Sequence, residues 1–127
     1  MTNINNLNCI FCKEDNSLIK NELAYATFDK FPVTKFHALI IIKRHVETFF
    51  ELTPSEKNSC FDLLDQVKEK LVQTDKTISG FNVGFNSGKD AGQTIMHCHI
   101  HIIPRRNNDV VEPRGGIRNI IPGKGKY

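Results

Sequence analysis

The sequence predicts an α+β fold: an antiparallel sheet of about five strands, with one main helix and a short helix packed against it. Three observations predict it. His37-Ala-Leu-Ile-Ile-Ile42 is a short β-branched apolar run bounded by Lys43 and Arg44, the pattern of a buried strand. Thr53-Pro54-Ser55-Glu56 is a helix start. Met96 to Ile103, "MHCHIHII", sets histidines at alternate positions, the period of a strand with two unlike faces.

The elements follow in order. Ala24 to Phe28 reads as a strand, and Asp29 to Phe36, with Pro32, as a short loop leading into the His37–Ile42 strand. The two strands then form an antiparallel hairpin. A short helical turn is expected over Val46 to Glu51. Thr53 serves as N-cap of the main helix, Pro54 fits its first position, and Glu56 completes a capping box. Cys60, Leu64, Val67 and Leu71 recur at helical spacing, widened by Phe61 and Leu63, while Asp62, Asp65, Glu69 and Lys70 take the opposite face. That stripe is core and runs to about Thr74. Gly80 to Asn86 alternates Phe81, Val83 and Phe85 as a half-buried strand. Ser87 to Ile95 is a polar loop. Met96 to Ile103 is the last strand, ended by Pro104, and the chain beyond it reads as irregular.

At 127 residues the chain is one domain, 1–127, with an N-terminal segment 1–20 and a basic C-terminal tail 105–127. Hydrophobic content of 39% and charged content of 24% are those of an ordinary globular protein and exclude a disordered one. The longest apolar run, Ala38 to Ile42, falls far short of the ~20 residues that span a bilayer. Met1 to Asn8 is polar and lacks the apolar segment of a signal peptide, so a cytoplasmic location is expected. In residues 105–127, Arg105, Arg106, Arg114, Arg118, Lys124 and Lys126 face only Asp109 and Glu112. Such a tail is solvated or meets a small anion such as a polyphosphate. Aromatic and basic residues do not interleave as a strand-binding surface needs, so nucleic acid is not the expected partner.

His97, His99 and His101 share the non-core face of their strand, while Cys98, Ile100 and Ile102 share the core face. Two chemistries suit such a row. The histidines could ligate zinc and leave an open position to activate water. Alternatively, a neutral imidazole could attack phosphorus and form a phosphohistidine intermediate. The preceding loop, "SGKDAGQT", offers backbone amides and hydroxyls suited to an anion.

Cys9 and Cys12 form a CxxC, which in a reducing compartment reads as a metal clip or a redox pair. A closed zinc site needs two more ligands. His45 and His97 are one allocation, which would leave His99 and His101 for chemistry. Cys60 and Cys98 lie in apolar patterns and read as small core residues.

"HCHIHII" (His97 to Ile103) resembles the defining motif of the histidine triad (HIT) family of nucleotide hydrolases and transferases. The likeness extends upstream through Ala91-Gly92-Gln93-Thr94, downstream to Pro104-Arg105, and to "DKFPVTKFHALIIIKRH" (Asp29 to His45), covering roughly Cys9 to Arg105. It implies a HIT-like fold with His99 as nucleophile, His101 on the phosphate oxygens, and His37 behind the triad. Gln93, counted with these three as catalytic, and Thr94 would meet the phosphates or leaving group. Asn86 and Gly92 would lie at the α-phosphate, and Asp29 would accept from the ribose hydroxyls. In members with the CxxC, a structural zinc is held by positions that match Cys9, Cys12, His45 and His97. The resemblance also implies a homodimer. Two departures stand out: Phe36 where many members have glycine, which should narrow the site, and Ile42 where many have proline.

The activity implied is hydrolysis at the α-phosphate of dinucleoside polyphosphates of the diadenosine tetraphosphate kind, with Mg2+ entering only alongside the polyphosphate. The competing readings are a nucleoside phosphoramidate hydrolase of the same family, a zinc-dependent hydrolase using all three triad histidines, and a nucleotide-binding scaffold.

Overall fold

In a computed structural model describing residues 8–14 and 16–127, five strands form one antiparallel sheet. They are β1 (Ile19–Lys20), β2 (Ala24–Phe28), β3 (Ala38–Ile42), β4 (Ile78–Gly84) and β5 (His99–Arg106), in the order β1-β2-β3-β5-β4. The polar segment Met1 to Asn8 lies, Asn8 apart, outside the described residues. The expected hairpin is present, with Ala24 opposite Ile42 and Phe28 opposite Ala38. The two-residue β1 is too short to leave a period in the sequence.

One helix, α1 (Pro54–Thr74), covers one face of the sheet. Its N-cap is the predicted capping box: the Glu56 amide donates to Thr53 Oγ1 at 3.1 Å and the Thr53 amide to Glu56 Oε1 at 2.9 Å. Glu56 is itself buried, and Arg44 grips both its oxygens at 2.8 Å. That paired guanidinium, foremost, holds the carboxyl below its usual range. Cys60, Leu63, Val67 and Leu71 are the buried stripe. Phe61 is instead 46% exposed, because at 3.6 residues per turn it lies roughly 140° around the helix from the midline of Leu63 and Val67. The short helical turn is a 3-10 turn confined to Phe49–Glu51.

Two strands lie elsewhere than expected. β4 runs Ile78–Gly84 rather than Gly80 to Asn86, and Val83 on it is 41% exposed. The helix packs chiefly on β1, β2 and β3, so the edge strand extends past its cover. β5 begins at His99, not Met96, because the Cys98 amide leaves the ladder to donate to the Val46 carbonyl at 2.7 Å. It also continues through Pro104 to Arg106. Pairing with β3 ends at Ala38 opposite Ile102, so Pro104 is flanked by β4 alone, a place where a missing N–H is tolerated.

The tail is also less loose than predicted. Arg105 makes paired bonds to Asp109, Arg106 donates to Asp75, and Gly116–Ile120 forms a 3-10 turn.

Phe36 has φ +72°, and the His37 amide donates to the Thr34 carbonyl at 3.1 Å. This is the third position of a type II turn, where glycine is the ordinary choice. The Phe36 ring stacks on Phe28 at 5.7 Å and packs toward the core under α1. It does not line the cleft described next, so the expected narrowing of the site is not found.

Candidate functional site

The sheet's other face carries the chemistry. In the register, His101 lies opposite Leu39 and His99 opposite Ile41, while Cys98, Ile100 and Ile102 enter the core beneath. Burial pushes the Cys60 and Cys98 thiols up to about 12, so neither is a nucleophile at neutral pH. Above the histidines opens a cleft of about 640 Å3. Its lining includes every residue the sequence proposed for substrate: Asp29, Asn86, Gly92, Gln93, Thr94, His99 and His101, with His37 behind.

Hydrogen-bond partners assign the ring protons. His99 Nδ1 lies 2.7 Å from the His97 carbonyl, which only accepts. Nδ1 therefore carries the proton, and Nε2 keeps its lone pair. Burial lowers the pKa of His99 below 6.5, outweighing the His97 carbonyl and Asp29, so the ring stays neutral and nucleophilic.

His37 and His101 form a relay. The Val33 amide donates to His37 Nδ1 at 3.1 Å, so the proton of His37 sits on Nε2. That Nε2 donates to His101 Nδ1 at 2.9 Å, which leaves the second proton of the relay on His101 Nε2. Asp29 Oδ2 stands 3.4 Å from His37 Nε2 and 3.9 Å from His101 Nδ1. Burial, then the neighbouring His99 and His37, depress His101 to about 4; burial lowers His37 against the opposing pull of Asp29.

Asp29, His37 and His101 group their ligand-type atoms within 4.8 Å, close enough to suggest a metal. The proton assignment opposes that. With Nδ1 already accepting from a backbone amide, a metal on His37 Nε2 would require an imidazolate. The trio is suited to move protons, not to hold an ion.

The loop before β5 is built by its glycines and Gln93. Gly88 and Gly92 have φ of +96° and +94°, framing a 3-10 turn at Lys89–Ala91. Gln93 is buried; its amide nitrogen donates to the Glu47 and Ile95 carbonyls at 2.7 and 3.1 Å, and its oxygen accepts from the Gly88 amide at 2.8 Å. Both donors are thus committed to the loop backbone. Gln93 braces the loop, while Asn86 and Thr94 are exposed to the cleft.

At the far end of the row, Cys9, Cys12, His45 and His97 converge. Cys9 Sγ to His97 Nδ1 is 3.4 Å, Cys12 Sγ to His45 Nδ1 is 3.2 Å, and the two Nδ1 atoms are 3.2 Å apart. Around a tetrahedral zinc such atoms would lie ~3.3–3.8 Å apart. His97 Nε2 donates to the Ile42 carbonyl at 2.6 Å, which turns the lone pair of Nδ1 toward the sulfurs. The donor set fits a closed structural zinc site. The His97 contact is made by the backbone oxygen of Ile42, so it does not depend on the side chain at that position. His97 groups with the cysteines and His45, and His101 with Asp29 and His37, so among the described residues the three triad histidines do not converge on one ion. The reading with all three as zinc ligands is set aside.

A family model described as "HIT domain" matches residues 12–108. The chain belongs to the HIT family. Among relatives, it is 36% identical over 93 residues to the asymmetrical bis(5'-nucleosyl)-tetraphosphatase of Schizosaccharomyces pombe, covering 73% of this chain and 50% of that protein. It is 34% identical over 107 residues to the adenylylsulfatase HINT3 of Arabidopsis thaliana, covering 80% and 54%. The HIT chain thus spans about half the length of each. A Zn-bound histidine triad family protein of Mycobacterium smegmatis superposes with a TM-score of 0.74 at 26% identity, covering 84% of this chain and 81% of that one. The HIT fold predicted from the motif is therefore present. No helix among the described residues is long and apolar enough to cross a membrane.

Three parts of this HIT site escaped the sequence. The Val33 amide that sets the His37 tautomer is a backbone group and has no residue signature. Tyr25 donates to the carbonyls of Phe11 and Lys13, tying the cysteine segment to β2; the sequence placed it only within the Ala24 to Phe28 strand. Phe11, inside the CxxC, lies against His99, a contact between residues 88 positions apart that no local pattern signals.

Proposed function

We propose that the protein is a nucleotide hydrolase acting at the α-phosphate of dinucleoside polyphosphates through a nucleotidyl-His99 intermediate. One observation carries the reading: His99 holds its proton on Nδ1 against the His97 carbonyl, leaving Nε2 free in a cleft beside an N–H donor on His101. His99 Nε2 attacks the α-phosphorus, forming a P–N bond as the P–O bond to the leaving nucleotide breaks. The His97 carbonyl stabilises the resulting imidazolium. His101 Nε2–H donates toward the departing oxygen, and His37 and Asp29 support the relay behind it. Asn86, Thr94 and the amides near Gly92 offset charge on the phosphate, Gln93 holds their loop, and Asp29 accepts from the ribose. Water then cleaves the P–N bond in a second step, replacing one high barrier with two lower ones.

Zinc at Cys9, Cys12, His45 and His97 is part of the same reading. Bound there, it would pin the N-terminal segment to the sheet and take no part in the reaction. Mg2+ enters only on the polyphosphate. A homodimer and a cytoplasmic location complete the proposal.

The tetraphosphatase relative favours the polyphosphate substrate, and the adenylylsulfatase relative shows how far leaving groups vary among similar chains. A nucleoside phosphoramidate is the second reading, since it needs the same nucleophile. Competitive turnover of diadenosine tetraphosphate against an adenosine phosphoramidate separates the two. The central test is His99→Ala with mass spectrometry of quenched wild type. Turnover should fall by at least about a thousandfold, with nucleotide mass on His99 in the wild type. Near-normal turnover in the variant, with no adduct in the wild type, would defeat the mechanism.

A further inference from the structure

Among the described residues one hydrogen bond, to the His97 carbonyl, holds the His99 ring, and one bond alone leaves a ring free to swing about that contact. Ring packing stops the swing. Phe11 sits between Cys9 and Cys12 in a 3-10 turn (Ile10–Cys12) whose Cys12 amide donates to the Cys9 carbonyl at 3.2 Å. Its ring meets His99 edge-on, with centroids 4.8 Å apart at 67°. The same ring meets His97 at 6.1 Å and 88°. On its other side His99 faces His101, 5.3 Å away. Phe11 is only 9% exposed and packs with Tyr25, Leu39 and Ile41, the residues beneath the triad. Tyr25 fastens the Phe11 and Lys13 carbonyls.

We propose that Phe11 is a positioning residue for His99: the cysteine segment delivers an aromatic ring that holds the attacking imidazole in line, so the metal clip bears on the chemistry as well as on the fold. The inference rests on the nucleotidyl-His99 reading. It goes further, since in that reading the clip only pins the N-terminus. The physical reason is geometric. His97 links both ends, offering Nδ1 to the cysteines and its carbonyl to His99, and Phe11 closes the other side of that bridge. Misplacement of a nucleophile by about 1 Å can cost on the order of a hundredfold in rate.

The experiment uses zinc-loaded full-length protein. Phe11→Leu keeps apolar bulk and removes the ring; Phe11→Tyr restores a ring. Three quantities are read: steady-state kcat and KM, the single-turnover rate of adduct formation, and the 15N signals of the His99 ring at fixed pH. With metal content and melting temperature near wild type, Phe11→Leu should lower kcat and the adduct rate about tenfold, with KM changed less than about threefold. The single Nδ1–H signature of His99 should give way to mixed tautomers. Phe11→Tyr should recover both rate and signature. An unchanged kcat with an unchanged His99 signature overturns the proposal. So does a rise in KM alone, which would make Phe11 a binding contact. If Phe11→Leu loses its metal, Phe11→Met carries the same readouts under the same criteria. Absence of any adduct in wild type would be a failure of the parent mechanism, visible before any Phe11 variant is made.

Discussion

Two clusters at opposite ends of one histidine row look alike as ligand sets and differ in what they can do. Cys9, Cys12, His45 and His97 form one; Asp29, His37 and His101 form the other. The difference is made by backbone. At the clip, His97 Nε2 gives its proton to a carbonyl, that of Ile42, and Nδ1 is left with a lone pair for a metal. In the relay, His37 Nδ1 accepts from an amide, that of Val33, and Nε2 must keep its proton and donate it onward. A C=O behind an imidazole leaves the far nitrogen its lone pair, turned to the cysteines in His97 and to the cleft in His99, and an N–H behind it makes a donor. Side-chain identity alone does not distinguish them.

The largest test breaks the clip. Cys12→Ser should lose the metal and lower stability by several kcal/mol, because structural zinc binding is coupled to folding. On the order of 10 °C should be lost from the melting temperature in a calorimetric scan, and a chelator should reproduce much of it in wild type. A melting curve indifferent to both changes would put the clip on the side of a redox pair.

The next test breaks the relay without touching the clip. His37→Phe should leave zinc content nearly unchanged and lower kcat by roughly ten- to a hundredfold. It keeps a buried ring and removes the Nε2–H that fixes the His101 proton. Loss of bound metal in this variant would contradict the division of labour between the two clusters.

The smallest effect is on pH. An ordinary imidazole, half protonated near pH 6.5, would cost a nucleophile about tenfold in rate between pH 7.5 and 5.5. His99, His37 and His101 are all shifted down, His101 to about 4, so their neutral forms persist as pH falls. The acid limb of kcat/KM should therefore lie below pH 6.5, with less than tenfold lost by pH 5.5. Asp29 raises all three values, so Asp29→Asn should move the limb further down, readable in kcat. A limb centred at or above 6.5 would mean that burial does not govern these rings.

Much of the site was legible because it rests on period and chemistry. A strand repeats every two residues, so His99 and His101 had to share a face opposite Ile100 and Ile102. The capping box at Thr53 and Glu56 was legible for a similar reason: both bonds are local. Arg44, which makes Glu56 a buried ion pair, was not, because the two lie twelve positions apart and the chain between them carries no sign of the contact. The ends of β4 and β5 escaped as well. Where pairing stops depends on which neighbour remains, as Pro104 beside β4 illustrates. The resemblance implied Gln93 as a contact to phosphates or leaving group, and its amide donors go to backbone carbonyls brought there by the fold.

Residue order therefore specified the α+β plan and the face that carries the histidines, because periodicity and capping are properties of side chains at short range, while the residues expected around them came from the resemblance to the HIT motif. The fold decided which nitrogen of each imidazole holds its proton, that the Gln93 amide braces its loop from the cleft wall, and that Phe11 lies on His99. Those outcomes depend on single hydrogen bonds and ring contacts between segments as many as 88 positions apart, and their directions exist only once the chain has closed.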